Sequence, residues 1–333
     1  MVKKTSSPEK QLRQIILDFP KQFSRGTEAA DLISFPDEFN KVIVCAMGGS
    51  ALPGDVLRAW LNRLNNGLAL EVYRNYSLPR NTDQKTLIIC ISYSGNTEET
   101  ISGLKEALKR NLKVAAIGSG GKLEELCKEN NVPFAKVPLV FMPRFALGYQ
   151  FVSLVKILIN SNLLPNDLKE EAIGLEKKLD PMSSESQGKE IAKKLKNKIP
   201  VIYSSRDNLV LARILKINLN ENSKVPAFFN YFPELNHNEL AGFTFEQKDF
   251  QAIMLRDKND LKSILQRMEI TAKLLMNRKV GVEFIEIDGE TPLVKIFSNI
   301  LLGEWISYYL AKEKKVDPIS IDIVEELKKE LAD

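Results

Sequence analysis

Histidine is nearly missing: His237 is the only one in 333 residues. A zinc site built on two or three histidines is therefore excluded. Cysteine is sparse as well. Cys45, Cys90 and Cys127 lack the paired spacing of a metal site, and Cys45 and Cys90 lie inside apolar runs. They are expected to be reduced core thiols. Neither charge sign dominates: 47 basic and 43 acidic residues leave a net charge of +4. The basic groups are dispersed, without the stripe that grips nucleic acid. No apolar run approaches the roughly 18 residues of a membrane span, and the charged start Met1-Val2-Lys3-Lys4 has no apolar segment behind it. The chain reads as cytoplasmic. It also lacks a Gly-Lys-Ser/Thr phosphate loop and a G-x-G-x-x-G dinucleotide fingerprint, so no cofactor is expected.

What is present is an alternation of short apolar runs and amphipathic stretches. A helical arm over the first 35 residues is interrupted by Pro20. Lys41–Ala46, Thr86–Ser92 and Lys113–Ile117 are nearly continuous β-branched runs, the pattern of strands buried on both faces. Helical spacing follows each, over Ser50–Leu64, Thr97–Arg110 and Lys122–Asn130. The pattern recurs with strands at Pro200–Ser204, Gln251–Leu255 and Val282–Ile287 and helices at Asn208–Glu221, Leu261–Asn277 and Leu293–Lys312. Strand–helix alternation favours parallel, doubly wound sheets with ligands at the carboxyl ends of the strands. The helix Leu293–Lys312, with Trp305, Tyr308 and Tyr309, suits a core or an interface. Residues 1–35 form the arm, 36–160 the first domain, 161–195 a helical connector, 196–312 the second domain and 313–333 a C-terminal helix.

Two loops carry the chemistry. Gly48-Gly49-Ser50 follows the first strand, and Ser92-Tyr93-Ser94-Gly95-Asn96-Thr97 follows the second. Glycines admit a ligand close to the backbone, and hydroxyls beside free N–H groups at a helix start suit a phosphate. Without a lysine, such a cradle suits a monoester that is held rather than transferred. The alternative is that Ser94 or Thr97 merely caps the helix. His237 lies among polar groups in Glu234-Leu235-Asn236-His237-Asn238-Glu239 and suits either acid–base chemistry or a structural role. Glu221 ends a helix, where its charge opposes the macrodipole; it is either a functional carboxylate or a solvated one. Arg144, after Pro143, is an anion clamp or an ion-pair partner. Lys328 reads as surface charge.

Together these segments resemble the bifunctional phosphoglucose/phosphomannose isomerase family of the sugar isomerase (SIS) superfamily. The matching pieces are Gly48-Gly49-Ser50, Ser92–Thr97, Pro143-Arg144, Asn220-Glu221-Asn222, Glu234–Glu239 and Leu327-Lys328, spread over nearly the whole chain in the family's order. The resemblance implies an α/β protein of two SIS-type doubly wound domains that interconverts glucose 6-phosphate, and mannose 6-phosphate, with fructose 6-phosphate through a cis-enediol, without metal. Gly48, Gly49, Ser50, Ser92, Ser94 and Thr97 would hold the phosphate. Glu221 would shuttle the proton between C1 and C2, and His237, supplied by the partner of a homodimer, would assist ring opening. Arg144 would lie beside the enediolate and Lys328 near the ring oxygen. One position departs from the pattern: Ile321 stands where a threonine or glutamine is expected, which bears on the choice between the two sugars. The competing readings are an isomerase restricted to one of the two sugars and a non-catalytic phosphosugar sensor, the latter disfavoured by the presence of both Glu221 and His237.

Overall fold

The computed structural model describes residues 7–140 and 142–331; the charged opening segment, 1–6, lies outside them. The chain divides into a first unit, Asp18–Leu179, and a second, Met1–Leu17 with Asp180–Asp333.

Helix α1 (Pro8–Asp18) buries Leu12 and Ile16, and Arg13 lies 5.7 Å from the centre of the Trp305 ring while pairing with Glu185 at 3.4 Å. A short helix α2 (Gln22–Arg25) opens the first unit. There the elements are β1 (Lys41–Ala46), α3 (Leu52–Arg63), β2 (Ala69–Tyr73), β3 (Thr86–Ile91), α4 (Glu98–Lys109), β4 (Val114–Gly118), α5 (Gly121–Glu129), β5 (Phe134–Lys136), α6 (Leu147–Asn160) and α7 (Asp167–Lys178). The sheet order is β2-β1-β3-β4-β5, and every pairing is parallel. The chain leaves β1 toward β2 and returns on the other side as β3, so the topological switch falls between β1 and β3.

The second unit contains α8 (Glu185–Leu195), β6 (Ile199–Ser205), α9 (Leu209–Glu221), β7 (Phe228–Phe232), β8 (Phe250–Arg256), α10 (Lys262–Met276), β9 (Gly281–Glu286), α11 (Pro292–Lys314) and α12 (Asp322–Glu330). Its sheet, β7-β6-β8-β9, is also wholly parallel and switches between β6 and β8. Two doubly wound parallel sheets are thus present.

All three cysteines are buried and free in one core cluster, with Cys45 directly opposite Cys90 on β1 and β3. Burial, with Glu124 nearby, pushes the Cys127 thiol up to about 12. Helix α11 is a core element: Trp305 and Tyr308 are buried, and the indole Nε1 donates to Pro181 O at 2.6 Å. No helix among the described residues is long and apolar enough to cross a membrane.

Three strands lie outside the sequence expectation. β2 and β7 are edge strands of half-buried residues (ALEVY and FFNYF), and β5 has three residues. An edge strand is solvated on one side and need not be a continuous apolar run. The helix expected from Ser50 begins instead as a 3-10 turn, Gly48–Ala51, before α3.

Candidate active site

At the carboxyl edge of the first sheet, the loops after β1 and β3 meet at the switch point, where open α/β sheets bind ligands. The Tyr93 N–H donates to Ser50 Oγ at 3.0 Å, joining the two loops. Ser92 Oγ donates to Thr97 Oγ1 at 2.9 Å and accepts from the Gly95 N–H at 3.2 Å. Thr97 occupies the N-cap position of α4, yet its side chain makes no capping bond. The capping alternative therefore fails for Thr97, whose hydroxyl does not take up a first-turn N–H group of α4. Ser94 is exposed and accepts from the Asn96 N–H at 3.3 Å.

Glycine makes this loop possible. Gly95 has φ +71°, and a Cβ there would come within 1.8 Å of Gly120 O. The loop is consequently stacked on the turn after β4, with the Leu123 N–H donating to Gly95 O at 2.8 Å. Gly49 brings in Arg144: a Cβ on Gly49 would meet the Arg144 backbone at 3.0 Å. Arg144 is buried, its guanidinium 4.5 Å from the centre of the Phe145 ring. Gln22 holds the same turn from the other side, donating to Phe145 O at 2.7 Å and accepting from the Gly148 N–H at 3.0 Å. Ser50, Ser92, Ser94, Thr97, Gly48, Gly49 and Arg144 thus belong to one locality.

Gln150 escaped the sequence reading. It is fully buried, its Nε2 lies 3.5 Å from Ser50 Oγ, and its Oε1 has no partner among the described residues. The available signal was a glutamine in the otherwise apolar stretch Leu147–Val152.

In the second unit, Glu221 is the last residue of α9. The next residues are pinned to α11: Asn222 Nδ2 donates to Ser307 Oγ at 2.9 Å and to Glu304 Oε2 at 3.2 Å, and Ser223 Oγ donates to Ser307 O at 2.8 Å. Lys224, at φ +54°, turns its ammonium back to the Glu221 carbonyl and to Ser320 O at 2.6 Å. That bridge draws Ser320 and its neighbour Ile321, the N-cap of α12, to the end of α9. Lys224 was not singled out in the sequence, where it reads as an ordinary surface lysine.

His237 lies elsewhere. β6 and β7 are parallel, so α9 must return Glu221 to the amino edge before β7 carries the chain back to the carboxyl edge. His237 follows β7 there, with α9 alone about 20 Å long. His237 is exposed, and among the described residues its ring makes no hydrogen bond. Its flanks are fixed: Asn236 Nδ2 donates to Thr271 Oγ1 at 2.9 Å, Asn238 Nδ2 to Glu234 Oε1 at 2.7 Å, and Tyr203 OH to Glu239 Oε1 at 2.7 Å. Burial first, then the bond to Glu239, raises the Tyr203 phenol. Lys328 is on α12, which has no buried residue, and donates to Glu325 Oε1 at 2.6 Å.

The carboxyl edge of the second sheet is occupied by the chain's own charges. Lys295 and Asp257, both buried, pair at 2.7 Å, and the buried Asn208 donates to Ser205 Oγ at 2.9 Å and to Asp260 Oδ1 at 3.3 Å. Burial raises the Asp260 carboxyl, with a Ser205 bond opposing.

Comparison with known proteins follows this division. Residues 38–134 match the SIS domain, and residues 184–331 match the bacterial phospho-glucose isomerase C-terminal SIS domain. The bifunctional phosphoglucose/phosphomannose isomerase of Caldicellulosiruptor bescii is 36% identical over 96% of this chain and 98% of its own. That of Aquifex aeolicus is 32% identical over 96% and 97%. A D-glucosamine-6-phosphate 4-epimerase of Sulfolobus acidocaldarius is 31% identical over 86% of this chain and 88% of its own. Among solved structures, the C-terminal domain of glucosamine-fructose-6-phosphate aminotransferase from Francisella tularensis superposes with a TM-score of 0.71 at 17% identity, over 93% of this chain and 98% of that one. That likeness concerns the fold.

Proposed function

Because the chain belongs to the bifunctional phosphoglucose/phosphomannose isomerase family, we propose that it interconverts glucose 6-phosphate and mannose 6-phosphate with fructose 6-phosphate. The observation that carries this reading is the buried Arg144 held by Gly49 against a hydroxyl-lined switch point. A cation beside a phosphate cradle suits a sugar phosphate whose enediolate needs charge stabilisation. Ser50, Ser92, Ser94 and Thr97, with Gly48 and Gly49, hold the phosphate. Glu221 takes the proton from C2 of the aldose and returns it to C1, while the C1 carbonyl becomes a hydroxyl and the C2 hydroxyl a carbonyl. Ile321, drawn to the end of α9 by Lys224, adjusts the balance between the two sugars. Lys328 acts near the ring oxygen once its exposed pairing with Glu325 is exchanged for substrate.

His237 opens the ring, and it comes from a second copy in a homodimer. Supporting this, Glu221 and His237 of one chain lie toward opposite edges of one sheet, and His237 is exposed on a fixed loop. Glu221→Gln and His237→Ala are each expected to lower kcat about 10²–10⁴-fold. Mixing the two inactive variants with subunit exchange should restore about a quarter of wild-type turnover, because each mixed twofold dimer regains one complete site. A mixture as inactive as its components would place both residues in one chain's site. Fructose 6-phosphate from both sugars after EDTA treatment establishes the reaction; 4-epimerised amino sugar phosphate as the product would assign the chain to the epimerase's chemistry.

A further inference from the structure

The first unit has a second cleft, of about 550 Å³, on the outer side of α4. Its volume lies within the roughly 300–1,000 Å³ of small-molecule sites. Lys105 and Lys109, one turn apart on α4, line it together with Lys122 at the start of α5. All three are exposed, and none has a carboxylate partner among the described residues. Like charges at i and i+4 repel each other, and a multivalent anion would relieve that repulsion.

The remaining lining is not generic. Tyr76 is 52% exposed, and its OH donates to Glu98 Oε2 at 3.3 Å, which steadies the ring at the cleft wall. Ile101 supplies a buried apolar floor, and Glu98 and Glu106 supply acceptors. A ligand that uses all of these has phosphates for the lysines, a flat ring for Tyr76 and hydroxyl donors for the carboxylates. Inorganic polyphosphate lacks the ring and the donors, and a plain sugar phosphate lacks the ring.

We infer that this cleft binds a nucleoside di- or triphosphate, at a place distinct from the phosphate cradle. Asn96 lines the cleft and also belongs to the cradle loop, its Oδ1 accepting the Lys122 N–H at 3.1 Å, so the two places are neighbours without sharing their phosphate ligands. The inference goes beyond the isomerase reading and is tested without it, by calorimetric titration of the full-length protein with ADP, ATP and inorganic tripolyphosphate. Wild type should bind ADP and ATP, with saturating glucose 6-phosphate leaving that binding in place. The double variant Lys105→Ala/Lys109→Ala should weaken both nucleotides about tenfold. Tyr76→Ala should weaken the nucleotides about tenfold while leaving tripolyphosphate unchanged. Thermal melts of both variants should match wild type, since the altered side chains are exposed. No binding at millimolar nucleotide, or binding indifferent to the lysine pair, would overturn the site. Displacement by glucose 6-phosphate would move the nucleotide's phosphates into the cradle and overturn the distinction. Equal weakening of tripolyphosphate by Tyr76→Ala would remove the nucleoside from the proposal.

Discussion

At the carboxyl edge of the first sheet, β1 and β3 run out into glycines and hydroxyls, with α4 left uncapped by its N-cap side chain. At the same edge of the second sheet, the equivalent loops carry Ser205, Asn208, Asp257 and Asp260, and Lys295 reaches in from α11 to pair with Asp257. The architecture offers a crevice at each switch point. In one sheet it is lined by glycines and hydroxyls. In the other a buried ammonium and carboxylate satisfy each other, and the residues proposed for proton transfer stand instead at the far end of α9 and in the loop after β7. A switch point is thus a place that side chains either leave vacant or close, and topology alone does not say which.

The comparison breaks most visibly at Lys295. Lys295→Met strands Asp257 as an unpaired buried charge and should cost about 3–5 kcal/mol in urea unfolding. Combining it with Asp257→Leu should recover most of that loss, and KM for the sugar phosphate should be unchanged in the folded protein. A change in KM would mean that the second edge also meets substrate. At the first edge the pattern inverts. Ser94→Ala removes an exposed hydroxyl with one local bond and should leave stability within about 0.5 kcal/mol of wild type. Its KM should rise about 10-fold or more, as expected for one lost hydrogen bond to a charged phosphate.

The smallest effect belongs to Asp260. Burial holds its pKa above the unfolded value, so the group favours folding below about pH 4 and loses that contribution as pH rises through its folded pKa. Asp260→Asn should therefore raise Tm slightly at pH 7, with the difference from wild type vanishing as pH falls toward about 4. A difference that grew on acidification would mean that the carboxylate, and not the neutral acid, is the form the fold favours.

Central strands such as Val42–Ala46 and Leu87–Ile91 could be read from sequence because burial on both faces demands an unbroken apolar run. The edge strands β2 and β7 could not, since half of each is solvated. The two loops that meet at the first switch point stood out for a similar reason: glycines and hydroxyls directly after a buried strand have few structural uses. The surroundings of Arg144, Gln150 and Lys295 depend on long-range packing, although each had a local sign: an arginine after Pro143, a glutamine between Tyr149 and Phe151, and a lysine between Val294 and Ile296. Lys224 had none. Its role arises from a left-handed turn and a carbonyl ninety-six residues away.

That lysine has a consequence for the C-terminus. Helix α12 buries no side chain, while Ile323, Leu327 and Leu331 face solvent. Its seat beside the end of α9 includes an ammonium shared between two carbonyls rather than a hydrophobic weld. A tail moored in this way answers to charge: neutralising one amine, as acetylation would, slackens the mooring without disturbing the hull.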